Sequence, residues 1–379
     1  MRRSQLKSTS ERLPWVDVLR AIAVLGVLFV HSAQYGSCSQ GLPKGMIDII
    51  ADGARGVQLF FVMSAYTIML AFLRHRKNEA RANTNFFIRR FFRIAPMFYL
   101  GIIYYLLQNG LGAVGDAPPI NGMNIAATAL FFHGFSPYWI NNVVPGGWSI
   151  AVEFSFYLMI PLLLRFTKDL KTSAIALYAS LLIKAILAFF FYRYQLIPSK
   201  ALWDDFLFLY LPNQLPVFML GIVLYYYLTE EVHNGSTLIF AIVLPIILFN
   251  RISVPYIDVG LAMWGLLFAG MAVVLFAYLR QNPIVGILAY IGKISYSMYL
   301  VHFAVLYWLG KYSFLDFIPL NSEVLAIANF ALRYLLVCAI TIIISSITYN
   351  MIEKPMIKVG NAIVKKRESK NFVGAEAKP

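Results

Sequence analysis

The stretch Asp17-Val-Leu-Arg20-Ala-Ile-Ala-Val-Leu-Gly-Val-Leu-Phe-Val-His31 is apolar except for its charged start and the imidazole at its end. At about 100° per residue, eleven residues make roughly three helical turns, so Arg20 and His31 share one face, about 16 Å apart along the axis. Val24 and Val27 fall between them on that stripe. Two more titratable groups stand in apolar company: Glu153, among Ala, Val and Phe, and His302, ahead of Phe-Ala-Val-Leu. Counting helix rise from the predicted span starts puts His31, Glu153 and His302 at similar depth. A charge at mid-membrane costs about 2.5–3.5 kcal/mol even on lenient scales, so such groups are expected to face the protein interior and to mark function. An imidazole backed by a carboxylate is a general base or a nucleophile. The plainer alternatives are a helix-end histidine at the interface for His31 and an interhelical hydrogen bond for His302. Lys184 and Arg333, also within spans, fit snorkelling or structural pairing.

The second constellation is Arg89-Arg90-Phe-Phe-Arg93. Arg90 and Arg93 are one turn apart and point the same way. Guanidinium forks suit phosphates. Arg20 and Lys293 are expected near the same level. Anchoring charge on an inner loop is the alternative. A cation cluster at one level and a His–Glu pair at another, joined by one helix face, suits a long ligand with phosphates at one end and a reactive atom at the other.

These groups need a bundle to hold them. The chain has 379 residues, 60% hydrophobic and 13% charged, with a mean hydropathy of +0.68. Soluble domains carry about 25% charged residues, so the composition reads as an all-α polytopic membrane protein embedded in a lipid bilayer. The net charge of +14 falls in short clusters between apolar spans, which is topology signal, and no nucleic-acid partner is expected. Ten spans are predicted, starting near Val18, Ala54, Ile94, Trp148, Thr172, Leu209, Leu238, Val259, Tyr290 and Ala326. Residues 101–164 contain no Lys or Arg, so that stretch is largely external under the positive-inside rule. Its apolar piece, Ile125 to Phe135, is too short to cross about 30 Å of hydrocarbon and reads as re-entrant or interfacial. The clusters Arg2 to Arg12, Arg74 to Arg93, Arg165 to Lys171, Arg280 with Lys293, and the tail from Lys354 then lie inside, and both termini are cytoplasmic. The acidic loop Thr229 to Ser236 gives no support, and its Asn234-Gly-Ser236 pattern falls on the wrong side for glycosylation. Residues 1–355 read as the membrane domain and 356–379 as a basic cytoplasmic tail. Cys38 and Cys338 give neither a disulfide framework nor metal-ligand spacing. The first span, with Arg20 and no clear small-x-small site, reads as a permanent anchor rather than a cleaved signal.

Several motifs resemble those of the membrane acyltransferase-3 family. They are the Arg20…His31 pair, Phe60-Phe61-Val-Met-Ser64-Ala-Tyr66, Arg90-Phe-Phe-Arg93-Ile-Ala-Pro96 and Gly147-Trp148-Ser149-Ile-Ala-Val-Glu153. Further along come Gly292-Lys-Ile-Ser295-Tyr296-Ser-Met-Tyr299-Leu-Val-His302 and Glu353-Lys-Pro355. Ala65 stands where the family often has Gly, and no hydrolase-like domain follows the last span, as in stand-alone forms. The resemblance implies ten spans with cytoplasmic termini in a bacterial inner membrane. It implies transfer of an acyl group, commonly acetyl, from cytoplasmic acyl-coenzyme A to a hydroxyl of a sugar, polysaccharide or glycolipid outside, with no tightly bound cofactor. Its usual functional positions map to Arg20, His31, Arg90 and Arg93. Taken with the reading of the residues above, which adds Glu153 and Lys293, His31 and Glu153 are expected to be catalytic, and Arg20, Arg90, Arg93 and Lys293 to hold the coenzyme A phosphates. Ser64, Tyr66, Trp148, Tyr157, Tyr299 and His302 are expected around the substrate, with Ser295 a further candidate donor. Helix–helix hydrogen bonds and an aromatic belt are the alternatives for these. The competing classes are a proton-coupled secondary transporter, since mid-depth titratable groups also serve coupling, and a flippase without chemistry of its own. The paired broken helices and repeats of a transporter are not evident.

Overall fold

In the computed structural model, the described residues are 13–36, 41–229, 260–279 and 286–376. Among them the fold is helical, and the one β pairing is an isolated bridge between Val114 and Ala117. Helix α1 (Pro14–Gln34) starts with Pro at its first position, where the missing N–H costs nothing. Next come α2 (Lys44–Asp52), a 3-10 turn (Gly53–Arg55) and α3 (Gly56–Arg76). They are followed by α4 (Ala82–Asn109), the short α5 (Gly122–Ala129), α6 (Gly147–Phe166) and α7 (Leu170–Arg193). The chain continues through α8 (Lys200–Leu209), α9 (Leu211–Thr229), α10 (Gly260–Leu279), α11 (Gly286–Lys293) and α12 (Ser295–Lys311). It ends with α13 (Glu323–Thr348), a π segment (Tyr349–Glu353) and α14 (Lys354–Glu376). By length and composition, eight stretches of helix among the described residues can cross a membrane. The expected span from Leu238, the loop with Asn234, the start at Val259, and Arg2 to Arg12, Cys38 and Arg280 lie outside the described residues.

Helix α1 is the hub. It packs against α2, α3, α10, α11, α12 and α13, and Leu19, Ala21, Ala23, Val24 and Leu28 are wholly buried. By contrast α7 presents Ile175, Leu182, Ile183, Ile186 and Phe189 outward, a face suited to lipid. Its start is set by a capping box: Asp169 accepts from Thr172 N at 2.7 Å, and Asp169 N donates back to Thr172 Oγ1 at 3.1 Å.

The span expected from Tyr290 is not one continuous helix. It breaks at Ile294, between α11 and α12. Gly292 is pressed so closely on α1 that a Cβ there would lie 1.7 Å from the Asp17 carbonyl oxygen. That approach needs glycine, and glycine is also a weak helix former. The apolar pattern runs straight through the break, so periodicity alone did not show it. The Ile125 to Phe135 piece forms α5 and a 3-10 turn (His133–Phe135), both too short to cross.

Arg333 of α13 is wholly buried, and its partners are structural. Nε donates to Leu315 O at 2.7 Å and Nη1 to Ser32 O at 3.1 Å. Further bonds reach Tyr35 O and Asp316. The guanidinium thus caps the orphan carbonyls at the end of α1 and ties them to the loop before α13. Arg333→Leu strands those acceptors and is expected to cost on the order of 3–5 kcal/mol, read as a lower melting temperature of the detergent-solubilised chain. An unchanged melting temperature would show that these groups find other partners.

Candidate functional site

Beside α1 lies a narrow cavity of about 80 Å³. Arg20, Arg90 and Arg93 line it with Ser64, Glu153 and Tyr157, and its far wall is Phe60, Ser149 and Tyr299. Arg20 Nη2 donates to Thr67 Oγ1 of α3 at 3.3 Å. The Arg90 guanidinium stands over the rings of Phe86 and Tyr157 at 5.5 and 5.6 Å. Glu153 accepts from Tyr157 O–H at 2.6 Å and from Ser64 Oγ. A second carboxylate, Glu353, is buried and accepts from Ser297 Oγ at 3.0 Å, within electrostatic reach of Arg93 and Arg20. Three guanidiniums therefore face Glu153, Glu353 and, beside Arg20, Asp17, yet among the described residues neither Arg90 nor Arg93 is in an ion pair within 4 Å. Guanidiniums left without a paired carboxylate suit an anion.

Arg90 and Arg93 also wall a second chamber of about 170 Å³, lined further by His75, Arg89 and, from α14, Ile357 and Asn361. The arginine pair is thus the partition between a vestibule and the inner cavity. Helix α14, in the segment expected to be a tail, closes the vestibule's side. Its Gly360 lies against Phe92, and Glu368 accepts from Ala80 N at 3.0 Å and Asn85 Nδ2 at 2.7 Å ahead of and within α4.

Arg89 is not free for a ligand: it pairs with Glu79, which also accepts from Asn85 Nδ2 at 3.0 Å and meets His75 Nδ1 at 2.8 Å. Burial opposes the Glu79 charge, but the hydrogen bonds from Arg89 and Asn85 outweigh it and hold the carboxyl below its ordinary 4.5. A carboxyl depressed by folding stabilises above its unfolded value and loses that contribution as pH falls through its folded one. Glu79→Gln should therefore lower the melting temperature at neutral pH, and the gap to the parent should close below about 4.5. An equal gap at both pH values would assign the effect to shape rather than charge.

At the other end, His31 Nδ1 lies 2.7 Å from Gln34 Oε1. An amide oxygen only accepts, so Nδ1 carries the proton and Nε2 is left bare. The His31 ring lies 5.3 Å from His302 and 4.5 Å from Phe303. His302 Nδ1 donates to Met298 O at 3.2 Å, and its buried Nε2 has no hydrogen-bond partner. The arrangement corrects one expectation: the partner of His31 is Gln34, not Glu153, whose bonds go to Ser64 and Tyr157 in the arginine cavity. The depth count assumed that α6 starts at the membrane surface. Its first residues are instead buried, with His133 Nε2 donating to Gly147 O at 3.1 Å and Tyr299 O–H to Gly146 O at 3.0 Å. Glu153, seven residues into α6, consequently falls in the arginine cavity and not beside the imidazoles.

Of the other expected residues, Ser64, Tyr157 and Tyr299 line the inner cavity. Tyr299 also accepts from Ser149 Oγ at 3.0 Å and sits 5.9 Å from His302, ring to ring. It is the step between cavity and imidazoles. Trp148 packs behind the wall against Phe61, and Tyr66 packs against Trp15 and Tyr225; neither lines the cavity. Lys293 stands 5.2 Å over the Tyr349 ring and lines neither chamber. Gln34 and Thr67 join the site unforeseen, and Glu353 joins it from the motif Glu353-Lys-Pro355, to which no role had been assigned.

A family model described as an acyltransferase domain matches residues 13–350. A Staphylococcus aureus (strain COL) protein, named provisionally as an O-acetyltransferase, is 26% identical over 92% of this chain and 58% of its own length. The chain thus spans little more than half of that relative. The Listeria monocytogenes peptidoglycan O-acetyltransferase OatA is 30% identical over 44% of this chain and 26% of its own length. Nodulation protein 10 of Rhizobium leguminosarum bv. viciae is 24% identical over 39% of this chain and 43% of its own. No solved structure matches the chain.

Proposed function

The chain belongs to the membrane acyltransferase-3 family, and from that premise we propose that it moves an acyl group, acetyl in the simplest case, from cytoplasmic acyl-coenzyme A to a sugar hydroxyl on the opposite face of a bacterial inner membrane. The observation that carries the reading is the arginine pair shared by two chambers in line with α1. In this reading the nucleotide phosphates rest on Arg90 and Arg93 in the vestibule, with Arg20 deeper. The inner cavity is far smaller than the roughly 300–1,000 Å³ of small-ligand sites, which excludes the nucleotide and leaves the slender pantetheine arm as the part of the donor to enter it. The arm runs along α1 toward Tyr299, and the about 16 Å from Arg20 to His31 is a reach of that order.

His31 Nε2 takes the proton of the acceptor hydroxyl as its oxygen attacks the thioester carbon. The C–S bond breaks, and the departing thiolate recovers the proton from the imidazolium. Gln34 Oε1, holding Nδ1–H, fixes the tautomer and supports the charged ring. The alternative sequence, in which Nε2 first accepts the acyl group and then yields it to the hydroxyl, uses the same atoms. Glu153 and Glu353 set the charge of the donor cavity rather than assist the imidazole.

Release of free coenzyme A from acetyl-coenzyme A by the purified chain in detergent, dependent on an added glycan, tests the reading. A transporter or flippase would leave the thioester intact.

A further inference from the structure

A third cavity, of about 370 Å³, opens between the 111–146 connection and α8. Its volume is within the range of small-ligand sites, roughly 300–1,000 Å³. Asp116, Tyr138, Asn141, Asn142 and Asp205 supply its polar lining, and no Lys or Arg takes part. We infer that this cleft binds an uncharged sugar ring and is the acceptor subsite of the transfer proposed above, on which that second assignment rests.

Asn142 makes the first argument. The residue is 7% exposed, yet its Oδ1 has no hydrogen-bond partner. A buried acceptor left open costs stability; Asn142 lines the cleft, and a sugar hydroxyl reaches its Oδ1 when the side chain turns toward the cleft. Asp205 is exposed and makes no hydrogen bond or ion pair with any described residue. The Asp116 carboxylate accepts from Ser199 Oγ at 2.8 Å, which fixes it at the rim. Tyr138 packs on no other ring among the described residues, leaving an aromatic face for the apolar side of a pyranose. Carboxylates and an amide oxygen accept from hydroxyls. Without a cation, the same lining repels phosphates, sulfates and uronates.

The link to His31 is the second argument. Asn141 Oδ1 accepts from Gly146 N at 3.1 Å. Gly146 has φ +71°, a conformation that favours glycine, and a Cβ there would meet Tyr299 O–H at 2.9 Å and Phe303 at 3.1 Å. Phe303 in turn packs on His31. One short loop therefore lines the cleft at Asn141 and touches the imidazole layer at Gly146, so the cleft's wall is continuous with the packing around His31.

The test is saturation-transfer NMR on the full chain in detergent, with methyl β-glucoside as the neutral probe and methyl glucuronide as the anionic one. The glucoside is expected to bind, and Asp205→Asn and Tyr138→Ala each to weaken it by about fivefold or more, the scale of one lost hydrogen bond or stacking contact. The glucuronide is expected not to bind. Both positions are at least partly exposed, so the variants should keep the parent's melting temperature. Absence of glucoside binding, unchanged affinity in both variants, or equal binding of the glucuronide would overturn the assignment. Coenzyme A release without glucoside binding would refute the cleft alone. Glucoside binding without coenzyme A release would keep the sugar site and remove the acyl transfer.

Discussion

His31→Ala abolishes acyl transfer while leaving acyl-coenzyme A affinity within about twofold of the parent chain, because a group acting only in the chemical step changes turnover and not ground-state binding. The expectation follows from separation. Arg20 sits about 16 Å down the same helix by rise, Arg90 and Arg93, proposed to meet the phosphates, lie on α4, and no hydrogen bond runs from His31 to the arginine cavity among the described residues. Loss of a positioned base alone costs roughly 10²–10⁴ in rate, and loss of a nucleophile more. Gln34→Ala frees the ring without removing it and should lower the turnover less than His31→Ala. Combining the two should add little, since residues acting as one unit are strongly non-additive. The measurements are labelled-acetyl transfer and coenzyme A binding on the same purified samples. Turnover by His31→Ala at the parent rate would remove the imidazole from the mechanism.

Arg93→Ala has the second large effect, on the donor. A charge-assisted hydrogen bond contributes about 1.5–3 kcal/mol, so losing it raises the Kd for acetyl-coenzyme A by roughly ten- to a hundredfold. S-acetylpantetheine, which lacks the nucleotide, has no phosphate at that position and should lose little. Arg93→Lys keeps the charge but not the fork and should fall between. Equal loss with both donors would make Arg93 a support of the fold. Glu153→Gln belongs with this experiment rather than with His31, since its carboxylate shares the cavity with Arg20, Arg90 and Arg93.

The line of the site was legible in the sequence, and its cross-links were not. The spacing of Arg20 and His31 and that of Arg90 and Arg93 are properties of single helices, and helix geometry fixes them. His302 reached the level of His31, as helix rise suggested. Glu153 joined the arginine cavity instead, because its place hangs on how the loop before α6 packs, and no periodicity encodes that. Arg333 was visible as a buried cation, but its partners are backbone carbonyls of another helix and the loop before its own. Backbone acceptors look alike in every sequence. Gln34 was passed over because a polar residue after an apolar span reads as the interface. The break at Ile294 stayed hidden because its cause is contact: Gly292 fits the Asp17 carbonyl only where the helix yields.

The most direct test puts the chain in proteoliposomes, with radiolabelled acetyl-coenzyme A on the side of the arginine vestibule and a neutral glycan sealed on the other. The predicted result is labelled glycan on the far side, free coenzyme A on the near side in equal amount, and neither with His31→Ala or Arg93→Ala. Glycan labelled only when both substrates share one side, or coenzyme A released at the same rate by His31→Ala, would contradict a donor path that runs along α1 to its imidazole.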